Sequence, residues 1–489
     1  MKIIKRLGIA LITVLTITSC SDNFFDVNDD VNNPTFSTPE LSLPSAQKRT
    51  VDLLSGDYNS MNTLGNLWTY TWAAAGDFAY FEDETTYRVT SAFRPTTFQN
   101  AYIQALANYD YVEKNVDPKY SNYKAIAMIM KAYHFQYLVD LYGDIPYTEA
   151  FNRANNPKPK YDDAQTIYND LIVKLTAAQN LIANPSSTAV AVGNYDIMCG
   201  GDMGKWAKFA NTLKLRILLR QVPKLSPDFS SVNNGIGFLG AGETVYANPG
   251  YINLVSGKQN PFYNGFKIND AGTVAANANA TRATPYGVSR FDNSDPRKPL
   301  YWLTVAGGYP TIDQNGIGGL PATSLSGIGN GILKSSTMPG IIMQSAESFF
   351  LQAEAVERGL ITSSGTAKSL YDQGVQEAFN QVGAGSADVL LAGPYAYGGT
   401  QPQNIERIFR QKFIANMSTN GIENWIEARR IEPTGANAIP VAKNQANVPY
   451  GPNIPVRLFY PTSEYSANGA NVPTLVSGDQ FTKKVFWDN

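Results

Sequence analysis

Apolar residues recur at helical spacing along two stretches of the chain, and a long polar, glycine-rich stretch separates them. Tyr102, Ile103, Leu106, Tyr109 and Val112 share one side of a predicted helix over 98–116, closed by Pro118. A second helix over 123–142 carries Ile126, Met130, Tyr133, Tyr137 and Leu141, and Gly143 with Pro146 ends it. A third starts at Asp162 or Asp163 and buries Ile167, Leu171 and Leu175. A fourth, over 206–222, turns Leu213, Ile217 and Leu218 inward and Lys214, Arg216 and Arg220 outward. Gly, Asn, Ser and Pro then dominate 223–340, where only a few short strands are expected. Helical periodicity returns over 345–360, 367–382, 405–417 and 421–431. The expected fold is therefore mainly α. A discontinuous lobe of antiparallel helix pairs (41–222 and 341–432) is interrupted by the loop-rich insertion 223–340 and followed by a loop-rich tail, 433–489. The pairing is TPR-like, although no 34-residue consensus can be read off.

The N-terminus carries a different signal. Lys2, Lys5 and Arg6 precede a short apolar run, Leu7 to Ile17, too short to span a bilayer as a helix. Ile17-Thr18-Ser19-Cys20 looks like a bacterial lipobox, so 1–19 reads as a lipoprotein signal peptide and Cys20 as the lipidated residue; an ordinary leader beside a chance cysteine is the alternative. Residues 20–40 read as an acidic tether, resembling the signal that sends lipoproteins to the outer face of the outer membrane. Asp26, Asn28 and Asp30 imitate the start of an EF-hand loop, but Val31 stands where its glycine belongs and Ser37 where its glutamate belongs. With Cys20 lipidated, Cys199 has no partner for an internal disulfide.

The 489 residues are 43% hydrophobic and 12% aromatic, enough for a large core. A net charge of −2 without a basic tract excludes nucleic-acid binding through a general electrostatic footprint. His134 is the single histidine, which excludes multi-histidine metal sites; no cofactor is expected. It reads as a packed, hydrogen-bonded residue beside the apolar stripe of its helix. Gly235-Ile236-Gly237-Phe238-Leu239-Gly240 is a literal GxGxxG, but without a strand before it or a helix after it, so it reads as a loop. There is no Walker A motif and no GxSxG elbow. A glycoside hydrolase needs only two carboxylates and stays open as an alternative. The visible pairs, Glu82/Glu84 and Asp162/Asp163, belong to polar turns or caps.

The segment Ala132-Tyr133-His134-Phe135-Gln136-Tyr137-Leu138-Val139-Asp140-Leu141-Tyr142-Gly143-Asp144-Ile145-Pro146-Tyr147 resembles a helix and turn of the SusD/RagB family. Further landmarks follow in family order: Phe350–Ala355, Gln411–Ala415, Asn424–Arg430, Arg457–Tyr465 and the closing Val485–Asp488. These residue types suit folding better than chemistry. Tyr142-Gly143-Asp144 forms a helix C-terminus, Trp425 with Arg429 and Arg430 packs a helix pair, and Glu354 needs Arg430 or Lys412 beside it.

Aromatic residues carry the binding signal. Trp68, Tyr70, Trp72, Phe78, Tyr80, Phe81 and Tyr87 crowd one segment, and Tyr286, Tyr301, Trp302 and Tyr309 lie in the loop-rich part. Exposed rings stack on the apolar faces of sugars. The candidate ligand residues are Trp68, Trp72, Tyr80, Phe81, Tyr286, Tyr301 and Trp302, although the spacing of four between Trp68 and Trp72 equally suits two rings buried by one helix. The resemblance implies a non-enzymatic, lipid-anchored outer-membrane protein that binds an oligosaccharide on the side of the 223–340 insertion. It also implies a SusC-type TonB-dependent barrel as the partner that receives the ligand. A peptide ligand, as in the RagB branch, is the alternative within the family.

Overall fold

The computed structural model describes residues 37–152, 155–316, 319–363, 365–442 and 453–489. The leader over 1–19, Cys20 and the tether as far as 36 lie outside them. Ten principal helices carry the fold: α1 (Pro39–Ser55), α2 (Met61–Trp68), α3 (Ala107–Lys114), α4 (Ser121–Tyr142), α5 (Ala164–Ala183), α6 (Met203–Arg220), α7 (Ser345–Glu357), α8 (Ala367–Val382), α9 (Gln401–Asn416) and α10 (Gly421–Ile431). The strands are short. β1 (Trp72–Ala74) pairs antiparallel with β3 (Thr281–Ala283), Trp72 facing Ala283. β2 (Val245–Ala247) pairs antiparallel with β4 (Gly340–Met343), with a register shift at Val245/Tyr246. The chain is mainly helical, as expected. No described helix is long and apolar enough to cross a membrane.

α4 is buried on almost every side, which its apolar sequence dictates. Consecutive helices pack on one another: α3 on α4, α4 on α5, α5 on α6 and α7 on α8. Gly143 ends α4 with a φ of 81°, where a residue with a side chain would be strained. The Tyr460 hydroxyl then donates toward the carbonyls of Tyr142 (3.0 Å) and Asp144 (2.7 Å), and the Asp144 carboxylate accepts from the Ala164 amide at 2.9 Å, starting α5. The family landmarks thus serve one another across the chain. The predicted helix over 98–116 has a finer structure, with Ala101–Leu106 π-helical between Pro95–Asn100 and α3.

One apolar core runs from Leu43 in α1 to Trp487 near the C-terminus, and takes Phe262, Phe266, Tyr301 and Trp302 from the loop-rich part. Among the described residues three smaller clusters flank it. The fourth predicted helix needs a correction: Lys214, Arg216 and Arg220 are buried, not outward. Each has a partner from elsewhere. Lys214 donates to the Ser231 carbonyl at 2.7 Å, Arg216 meets Glu347 at 3.2 Å, and Arg220 bridges Glu423 and Glu427 of α10. Buried cations are tolerated when carboxylates meet them, and a single helix does not show its partners. His134 is packed as expected, its Nε2 2.8 Å from the Thr50 hydroxyl.

Candidate ligand-binding face

Between α2 and α3 the chain adopts an unusual backbone. Tyr70, Phe81, Tyr87 and Arg94 all have positive φ, at 54°, 62°, 55° and 44°. Each such residue costs on the order of 1–3 kcal/mol and persists only where its surroundings hold it. The surroundings do. Arg94 pairs with buried Glu84 at 2.7 Å and donates to the Ser60 carbonyl at 3.2 Å. The Tyr70 hydroxyl donates to Asp313 at 2.9 Å, and the Ala442 amide donates to the Tyr87 hydroxyl at 3.0 Å.

Residues 310–316 and 319–325 of the loop-rich part lock against this segment. Gln314 donates to the carbonyls of Leu67 (2.7 Å) and Trp72 (2.9 Å), Thr85 donates to Asn315 at 2.6 Å, and Asp77 accepts from the Ala322 amide at 3.0 Å. A Cβ at Gly76 would stand 2.6 Å from the Gly319 backbone, so this close approach needs glycine.

On this frame stands a group of rings. Half-buried Tyr80 sits edge-on to Phe78, Phe81 and Tyr58, with centroids at 6.4, 5.3 and 5.7 Å. Phe81 itself is buried and lies flat against Tyr58 at 5.3 Å. Phe78 rests on a small apolar cluster of Ala73, Ala75, Ile312, Ala322 and Leu325. The Tyr58 hydroxyl donates to Glu84 at 3.2 Å, and burial, with the Glu84 charge behind it, pushes its pKa well up. Asp77, Glu82 and Arg88 are exposed on the same segment, Arg88 paired with Asp83. Half-open rings over a fixed base, with charged groups on the same segment, can take the C–H face of a sugar and bond its hydroxyls.

The other candidate rings are covered by protein, so of the two readings the spacing left open, core burial is the one the structure takes. Trp68, 1% exposed, packs on Phe93 and Trp425 and donates its indole N–H to the Glu84 carbonyl at 3.2 Å. Trp72 is sealed against Phe262 and Phe266. Tyr286 lies against Phe413 with Arg290 over its ring at 4.0 Å, Tyr301 lies against Phe291, and Trp302 is wholly enclosed. Large rings are valuable core material, and partners far away in the chain claimed them. Of the seven named rings Tyr80 remains partly open, and Phe81 serves as its base. Tyr58 was not anticipated, since it stands alone between Asp57 and Asn59 with no periodic pattern to mark it.

The carboxylate pairs have structural duties. Glu84 holds Arg94, Asp162 accepts from the Tyr147 and Thr148 amides at 3.2 and 2.7 Å, and Asp163 caps α5. Burial pushes the His134 pKa down to about 3. Among the described residues no cluster of three or more His, Cys, Asp or Glu side chains could hold a metal ion.

Residues 32–461 match the profile of the SusD-like family described as starch-binding and associating with the outer membrane. Curated protein sequences give no match. A solved chitin-binding protein is 25% identical with a TM-score of 0.73, the alignment covering 92% of this chain and 100% of that one. A chitin-binding SusD homologue from Flavobacterium johnsoniae is 20% identical, TM-score 0.73, covering 91% and 98%. A SusD homologue from Bacteroides uniformis is 23% identical, TM-score 0.71, covering 92% and 99%. With a family profile spanning most of its length and a matching fold, the chain belongs to the SusD-like family.

Proposed function

We propose that this protein is a surface lipoprotein, anchored through Cys20, that captures an oligosaccharide and passes it to a SusC-type TonB-dependent barrel without turning it over. The observation that carries the reading is Tyr80, which stands half-open among Phe78, Phe81 and Tyr58 on a strained, cross-tied segment. Strain maintained by that many ties supports a functional use for the segment. The insertion 223–340 contributes residues 310–316 and 319–325 to this face, which supports reading it as the ligand side and the helical lobe as the side that faces the transporter.

The family profile is described as starch-binding and two relatives are chitin-binding, so malto- and chito-oligosaccharides are the first ligands to test. A few ring contacts of about 1 kcal/mol each, less the ordering of a flexible chain, give affinities in the micromolar to millimolar range. Calorimetry with both series and with a peptide pool decides the ligand class. Saturable heat with a glycan and none with peptides is the expected result. Peptide binding alone would replace the sugar, and product formed by the purified protein would replace the binder with a hydrolase.

A further inference from the structure

A polar groove opens beside the ring platform. It encloses about 450 Å³ between the end of α1 with its following turn, the helix Pro95–Asn100, and a short stretch of the loop-rich part. Its hydrogen-bonding capacity is largely unspent. Thr97 is only 4% exposed, yet its hydroxyl has no partner among the described residues and is not sealed from solvent, so what it shows faces the groove. Asn100 uses only its side-chain oxygen, on Gln104 at 3.2 Å, and Asn264 only its own, on Gln259 at 3.2 Å. Their amide N–H groups, the Gln104 oxygen and the whole Asn59 side-chain amide remain available.

This lining suits neutral hydroxyl groups. Amides offer a donor and an acceptor side by side, as vicinal hydroxyls require. An anion would meet Asp52 and Asp57, and the nearby Arg49 is already drawn to Asp52 at 3.4 Å. The groove also adjoins the platform. Asp57 and Asn59 line it and flank Tyr58, whose ring lies 5.7 Å from that of Tyr80; successive Cα atoms are about 3.8 Å apart.

We infer that this groove is a second station for the same glycan, where sugar units running on from the rings are held by side-chain amides. The inference rests on the glycan reading above. It is tested with a length series of malto- and chito-oligosaccharides titrated into the wild type, the Asn59→Ala/Asn100→Ala double variant and Tyr80→Ala, each checked by its melting curve. In the wild type affinity should rise with length. The double variant should lose about tenfold on the longest oligomers and bind the shortest unchanged, whereas Tyr80→Ala should weaken every length. Wild-type affinity of the folded double variant for the longest oligomer overturns the groove and leaves the platform standing. A wild type that binds no glycan of either series overturns both.

Discussion

The Arg430 guanidinium holds the Glu354 carboxylate through two hydrogen bonds of 2.7 Å, although the residues are 76 apart in the chain. Arg430 also pairs with Glu427, which Lys412 and Arg220 share, so α6, α7, α9 and α10 meet in one buried charge cluster. Burial alone would raise the Glu354 pKa; the Arg430 charge overrides it and holds the carboxyl below its usual value. Removing one partner strands a buried charge. Glu354→Gln should therefore lose about 3 kcal/mol of stability in urea unfolding. A loss well below ~1 kcal/mol, the worth of an exposed pair, would show that Glu427 alone satisfies Arg430.

Acid should act through His134. Burial depresses its pKa from 6.5 to about 3, so between those values the unfolded chain binds a proton that the folded one refuses. Stability from this group is complete above pH 6.5 and is lost as the pH falls toward 3, at about 1.4 kcal/mol per unit. Melting curves of the wild type should fall across that window, and His134→Gln should flatten the part above pH 5. Parallel curves for the two proteins would mean that water reaches the ring.

Helices with a clean apolar period, α5 and α8 among them, were legible because burial and spacing agree there. α1 was not. Its buried face mixes Ser42, Gln47 and Thr50 into the stripe of Leu43, Ala46, Val51 and Leu54, and Pro44 lies inside it, which obscures the helical pattern. Two of those polar groups are satisfied from afar: Gln47 by Asp196 at 2.7 Å and Thr50 by Tyr109 at 3.0 Å. The same blindness affected Arg216 and Arg220, whose carboxylates come from α7 and α10. At the candidate site, the crowding of rings was visible in the sequence, but not which ring stays open. That choice depends on Phe262, Phe266 and Trp425 claiming Trp72 and Trp68.

Anchoring is tested apart from binding. One acyl chain holds a protein to a membrane only marginally, at about 0.8 kcal/mol per buried CH₂, while two or three hold it firmly. Cys20→Ala should abolish palmitate labelling and release the protein from the outer-membrane fraction. Labelling that persists in the variant removes the lipobox reading.

Trp302 and Tyr80 should fail in opposite ways. Trp302 is wholly enclosed, and its indole N–H has no partner among the described residues, so it contributes through packing rather than through a polar bond. Trp302→Ala leaves a cavity and should cost about 3–5 kcal/mol. Trp302→Phe keeps most of the ring and discards an unpaired N–H, so it should cost clearly less. Wherever these variants fold, glycan affinity should stay at the wild-type level, because the ring touches no open surface. Tyr80→Ala removes a half-open ring whose three aromatic neighbours stay in place, so the melting temperature should barely move while affinity drops about tenfold. Calorimetry and melting curves on the three variants separate the two roles. Weakened binding by a stable Trp302→Phe would bring that ring back to the site, and unchanged binding by Tyr80→Ala would remove the platform from it.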